Sequence, residues 1–194
     1  MDGIVKYLFE SGELKRVKRS GWWTAKIKDP ESVAEHTFRT AIVAFILANM
    51  EKIDEKKLCC AALFHDMHET RTLDLHKVHA RYAKLPEETK KRVVEEQLEN
   101  LPGDIKKSIE DIYSLDEKEK ILLKDADLLE CAFQAKEYLE IGYNDCEDWI
   151  NNIEKLLKTE SAKKLLAVLK TTDSKDWWKG LKLIGDIDGS GNKD

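Results

Sequence analysis

The stretch "FHDMHET", residues 64 to 70, sets His65, Asp66, His68 and Glu69 within little more than one helical turn. Imidazole nitrogen and carboxylate oxygen are donors that a divalent cation takes at about 2.0–2.2 Å, and a catalytic site keeps positions open for water and substrate. His65 and Asp66 are chain neighbours, so on a helix they diverge by about 100° and share an ion only over the groove between them. The remaining donors must then come from other helices, and His36 and an aspartate of "LLKDADLLE" are the candidates. Glu69 follows His65 by four residues and Asp66 by three, which puts a carboxylate near the ion without making it a ligand.

The elements that must position these groups read as helices. A first helix spans about residues 2 to 11 and stops at Gly12, a candidate left-handed cap. A basic, aromatic connector, "ELKRVKRSGWWTAKIKDPE", leads to Ser32 and Glu35, a capping box that starts the next helix with His36 in its first turn. From Ala41 to Met50 that helix is apolar nearly all round, as expected of a central helix buried on most sides. Another helix runs from about Glu55 into the opening stretch, with Leu58, Ala61, Ala62 and Phe64 apolar.

"TRTLDLHKVHARYAKL" reads as loop or broken helix, and a helix follows Pro86 until Leu101-Pro102-Gly103. Beyond "GDIKKSIEDIY", Ser114 and Glu117 offer a second capping box, opening a helix that runs to Gly142. Ile121, Leu122, Leu128, Leu129 and Ala132 form its apolar stripe, with Asp125 at the centre and Asp127 pointing away. Periodicity alone would therefore choose Asp125 as the acidic donor. Two more helices, near 146–157 and 160–170, precede a polar tail. The fold class is all-α, with one domain over 1–170 and an amphipathic segment and flexible tail over 171–194.

The chain of 194 residues is 42% hydrophobic and 37% charged with three prolines, which is the balance of a soluble, helix-rich protein. A net charge of -5 argues against a general nucleic-acid coat protein. No apolar run approaches the roughly 20 residues of a bilayer span, and no signal peptide is visible, so a cytoplasmic location is expected. Cys59, Cys60, Cys131 and Cys146 form no CxxC pair and read as reduced, packed thiols.

Taken together and in order, "RSGWW", "ESVAEHTFRTA", "ALFHDMHE" and "LLKDADLLE" resemble the HD-domain metal-dependent phosphohydrolases. Within them the likeness is to the 5'-deoxynucleotidases, compact all-helical enzymes that release phosphate from deoxyribonucleoside 5'-monophosphates. It covers about residues 5 to 140. The resemblance implies one divalent metal held by His36, His65, Asp66 and Asp127, so on the disputed aspartate it opposes the periodicity. It implies Glu69 as acid or base, Arg19 on the phosphate, Trp22 beside it and Asp74 on the sugar hydroxyl. Cobalt or manganese is implied in assays, and mixed N/O ligation also admits Mg, Zn, Ni and Fe. A small-molecule nucleotide substrate and a homodimer are implied too, with no nucleic-acid or membrane partner.

Two other readings stand beside this one. An HD enzyme of the same size could act on a diester, a nucleoside triphosphate or another phosphorylated metabolite. From a different class, "KRVKRSGWWTAKIK" could stack on single-stranded nucleic acid. His68, His76 and His79 lack the carboxylate pair a second metal would need. "DIDGSGNKD" stops short of a full calcium loop, and "DSKDWWKGLKLIG" suggests core packing or a subunit contact through Trp177, Trp178, Leu181 and Ile184.

Overall fold

The computed structural model describes residues 1–181; Ile184 and the "DIDGSGNKD" tail lie outside them. Ten α-helices occur among the described residues, with an isolated bridge between Lys18 and Ser32 and no strand. They are α1 (Asp2–Ser11), α2 (Val33–Glu51), α3 (Glu55–Phe64), α4 (Glu69–Thr72), α5 (Lys77–Ala80), α6 (Glu87–Leu98), α7 (Gly103–Tyr113), α8 (Glu117–Glu140), α9 (Glu147–Leu156) and α10 (Glu160–Thr171). The all-α expectation holds. None of these helices is long and apolar enough to cross a membrane.

The main core gathers where α2 and α8 pack together and against α3, α9 and α10, around Leu47, Leu58, Leu122, Leu129 and Leu166. Two smaller clusters flank it: Leu14, Val17, Val33 and Met67, then Leu98, Leu101 and Ile109. Together they surround the turn after α3 that carries "HDMHE". The predicted box at Ser32 forms in full, since the Ser32 hydroxyl accepts from Glu35 N–H and the Glu35 carboxylate accepts from Ser32 N–H at 2.6 Å. It fixes the start of α2, and therefore the height of His36.

Four details differ from the sequence reading. Gly12 is right-handed, at φ -65° and ψ -18°, and α1 runs on into a 3-10 turn over Gly12–Lys15 rather than stopping. The second capping box belongs to Asp116 and Glu119, not Ser114 and Glu117, because Ser114 already terminates α7. α2 is buried on one side only: Phe38, Ile42, Phe45 and Ile46 are 67%, 45%, 43% and 45% exposed. Trp177 and Leu181 stand in solvent rather than in a core.

Candidate metal and phosphate site

His36 is wholly buried between α2 and α8, and its ring meets two carboxylates of the same helix. Nε2 lies 3.2 Å from Asp127 Oδ1 and 3.8 Å from Asp66 Oδ2, while Nδ1 contacts Glu130. His65 sits just past α3, where its Nδ1 is 2.6 Å from the Ala62 carbonyl oxygen. That contact makes Nδ1 the protonated nitrogen and leaves Nε2 as the bare donor. His65 Nε2 is buried, 3.1 Å from Asp66 Oδ2, and has no hydrogen-bond partner. Donor atoms of His36, His65 and Asp127 all fall within 4.8 Å of one another. An orphaned imidazole nitrogen facing converging carboxylates is a fit for a divalent ion.

The electrostatics are those of a compact ionic cluster. Burial opposes ionisation of Asp127, yet His36 and Lys124 outweigh it and hold the carboxyl well below its ordinary range. Asp66 behaves likewise: burial is overcome by His65, His36 and Arg19, and its carboxyl is lowered. For His36, burial and Arg19 oppose the proton, but Asp127 and Glu130 raise the ring to about 10.

Asp125, which periodicity favoured, is elsewhere. It is buried, and it accepts from Lys158 N–H, Thr159 N–H and the Thr159 hydroxyl, the last two at 2.7 Å, so it ties down the turn before α10.

Glu69 opens α4, its N–H bonded to the Asp66 carbonyl at 2.9 Å. Its side chain is buried and Oε2 has no partner. Burial first, then the neighbouring charges of Asp66 and Asp74, push this carboxyl up to about 9. A carboxyl shifted in that direction favours its protonated form at neutral pH.

Arg19 enters from the connector. Nη1 donates to Asp74 Oδ1 at 3.3 Å and Nη2 to Cys131 Sγ at 3.1 Å, and its charge reaches Asp66 and Asp127. Asp74 is latched to the same segment, Oδ2 accepting from Ser20 N–H at 2.6 Å and its carbonyl from the Ser20 hydroxyl at 2.7 Å. The residue before it, Leu73, has φ 62° and ψ 164°, a conformation nearly confined to glycine.

Trp22 departs from expectation. It is 2% exposed, stacks on Trp149 at 5.3 Å, meets Tyr138 edge-on at 5.2 Å and donates Nε1–H to Glu31 at 2.9 Å. That packing makes it a core residue that anchors the connector. Trp23 is half exposed. His76 and His79 pair with each other, His79 N–H donating to His76 Nδ1, and with His68 they join no donor cluster among the described residues.

Spacing reasoning missed Lys124, which ion-pairs with Asp127, and Glu130. Their offsets of minus and plus three from Asp127 on one helix were the available signal. A cavity of about 910 Å³ opens beside His65, Asp66 and Asp127 and continues past Tyr113, Leu123 and Lys124.

The family model of the HD domain matches residues 11–169. The 5'-deoxynucleotidase HDDC2 of Mus musculus is 31% identical over 147 residues, covering 72% of this chain and 71% of that protein. The HDDC2 of Dictyostelium discoideum is 31% identical over 153 residues, with 71% and 78% covered. Among solved structures, a predicted coding region from Archaeoglobus fulgidus superposes with a TM-score of 0.66 at 36% identity, covering 92% of this chain and all of the other. On a family match spanning most of the chain and relatives at this identity, the chain belongs to the HD-domain metal-dependent phosphohydrolases, in the branch of the 5'-deoxynucleotidases.

Proposed function

We propose that the protein is a metal-dependent phosphomonoesterase that hydrolyses deoxyribonucleoside 5'-monophosphates to deoxynucleoside and phosphate, acting in the cytoplasm. One observation carries the reading: a buried Glu69 with an unpartnered oxygen, its carboxyl pushed up by burial, stands beside the donor cluster of His36, His65 and Asp127, with Asp66 and Arg19 close by. The names of the HDDC2 relatives support the choice of substrate.

A divalent ion held by His36, His65, Asp66 and Asp127 would supply an activated water and a Lewis acid for a phosphoryl oxygen. Arg19 presents a planar fork of donors to the developing phosphate charge, an arrangement lysine does not reproduce. The leaving group is a sugar 5'-alkoxide, a poor one, and Glu69 is the proton donor to that oxygen as the P–O bond breaks. Asp74 is the acceptor for the sugar hydroxyl, fixed by Ser20. Cobalt or manganese is the expected activating ion. A homodimer completes this reading, with the apolar outer stripe of α2 as its contact.

The lysines beside the cavity support a second reading, in which Lys90, Lys120 and Lys124 meet the extra phosphates of a triphosphate or the second ester of a diester. The test begins with chelator-stripped protein to which Co, Mn, Mg, Zn or Ni is returned singly. Phosphate release is then followed from deoxy- and ribonucleoside 5'-monophosphates, a 3'-monophosphate, a triphosphate and a diester. Release restored by metal from the deoxy 5'-monophosphates, abolished in Glu69→Ala while that variant still binds the ion, is the expected result. Turnover confined to the triphosphate or the diester would move the second reading ahead, and a fully active Glu69→Ala would remove the acid assignment.

A further inference from the structure

We propose that Glu130 is a positioning residue of the metal centre: it fixes which nitrogen of His36 faces the ion, and Arg39 fixes Glu130 in turn. The inference rests on the metal-site reading above. Glu130 is fully buried, and both of its oxygens are committed. Oε2 contacts His36 Nδ1, and Oε1 accepts from Arg39 Nε at 3.0 Å.

A neutral imidazole has one protonated and one bare nitrogen, so the nitrogen that donates to a carboxylate leaves the other as the metal ligand. With Nδ1 turned to Glu130, Nε2 is the nitrogen that faces Asp127 and Asp66. Asp127 and Glu130 are one turn apart on α8, and the ring of His36 lies between them. In the direct contact between them Glu130 is spent on His36 Nδ1, so in this arrangement Glu130 serves the ring rather than the ion. The other face of the ring is left for the ion.

Arg39 stands three residues after His36 on α2 and spends its whole fork on one face of α8. Beyond Glu130 it donates Nη1 to Glu137 Oε1 at 2.6 Å and Nη2 to Gln134 Oε1 at 2.7 Å. Residues 130, 134 and 137 share one stripe of the helix, so Arg39 sets the register between α2 and α8. Glu137 and Gln134 would suffice for register alone. The buried oxygen that Glu130 directs at His36 serves the imidazole instead.

The test compares wild type, Glu130→Leu, Glu130→Gln and Glu137→Gln, each stripped of metal. Zinc affinity is measured by chelator competition, and the melting temperature of each metal-free protein is recorded beside it. Glu130→Leu is expected to bind zinc about 10–100-fold more weakly than wild type. In Glu130→Gln the amide oxygen still accepts from Nδ1–H, so its affinity should recover to within about threefold of wild type. Glu137→Gln loosens the same arginine without touching His36, and should change melting temperature but not affinity.

Nitrogen-15 spectra of zinc-loaded wild type give a readout that needs no variant: His36 Nδ1 should be the protonated nitrogen and Nε2 the bound one. Wild-type affinity in Glu130→Leu, equal losses in Glu130→Leu and Glu137→Gln, or a protonated Nε2 would each overturn the proposal. A wild-type chain that binds no zinc, cobalt or manganese would overturn the metal-site reading itself, a result independent of every Glu130 variant.

Discussion

Glu69 keeps a carboxyl with one oxygen buried and without a donor from the protein, and that placement has a cost readable without substrate. In the unfolded chain the group ionises near 4.5, whereas in the fold it holds its proton to about 9. Between those values the folded state binds a proton that the unfolded state has released, so stability falls as pH rises through the window. Glu69→Gln removes the titration while keeping the shape. The metal-free variant should therefore melt higher than wild type at pH 7, by an amount on the order of 2–3 kcal/mol, or about 5–10 °C. The advantage should vanish below about pH 4.5 and level off above about 9. Equal melting curves across that range would remove the claim that Glu69 is held neutral. Of the residues in this cluster, the His-Asp pair and Glu69 were legible because histidines are scarce, five in the chain, and their spacing is short. Glu130 was not: it is one of 38 acidic residues, and only a partner from another helix distinguishes it.

The long helix α8 shows what periodicity does and does not carry. Its stripe of Leu122, Leu129 and Ala132 was readable and is buried. Asp125, in the middle of that stripe, was readable as buried too, but burial does not say what a carboxylate faces. It faces the backbone ahead of α10, where three donors from Lys158 and Thr159 supply spatial context that spacing along α8 cannot contain. The same limit explains the misplaced cap, since Ser114-x-x-Glu117 and Asp116-x-x-Glu119 satisfy one pattern and the end of α7 decides between them. It also explains Trp22, whose neighbours Tyr138 and Trp149 lie more than a hundred residues along the chain. Two aspartates two residues apart therefore make opposite predictions for the metal. Asp125→Ala strands three donors and should cost about 2–4 kcal/mol of stability, with metal affinity unchanged. Asp127→Asn gives up the ion pairs to His36 and Lys124, so it should lower the metal-free melting temperature as well and, unlike Asp125→Ala, lose the metal, measured by the same chelator competition. An Asp125→Ala protein that folds normally yet fails to bind the ion would reverse the assignment of the two.

For the whole molecule, the outer face of α2 is the feature that one chain leaves unexplained. The sequence made this helix apolar all round, and the natural inference was burial on most sides. The fold instead covers Val33, His36, Ala44 and Leu47 and exposes Phe38, Ile42, Phe45 and Ile46. These four occur at helical spacing on a rigid nineteen-residue element, a contiguous apolar stripe of the sort that marks an interaction site. A stripe on a single helix can pack against its own copy across a two-fold axis, each residue meeting its counterpart's neighbours, which is the simplest way to cover it. The dimer named in the proposed function would use this surface. Because His36 lies on the buried side of the same helix, the contact would brace α2 without entering the metal cluster. The double variant Ile42→Glu, Phe45→Glu places two charges in the middle of the stripe and should convert a dimer to a monomer in sedimentation equilibrium. Zinc affinity per chain should stay at the wild-type value, since neither side chain approaches the donors. A wild-type chain that sediments as a monomer, or a double variant that remains dimeric, would remove α2 as the subunit contact.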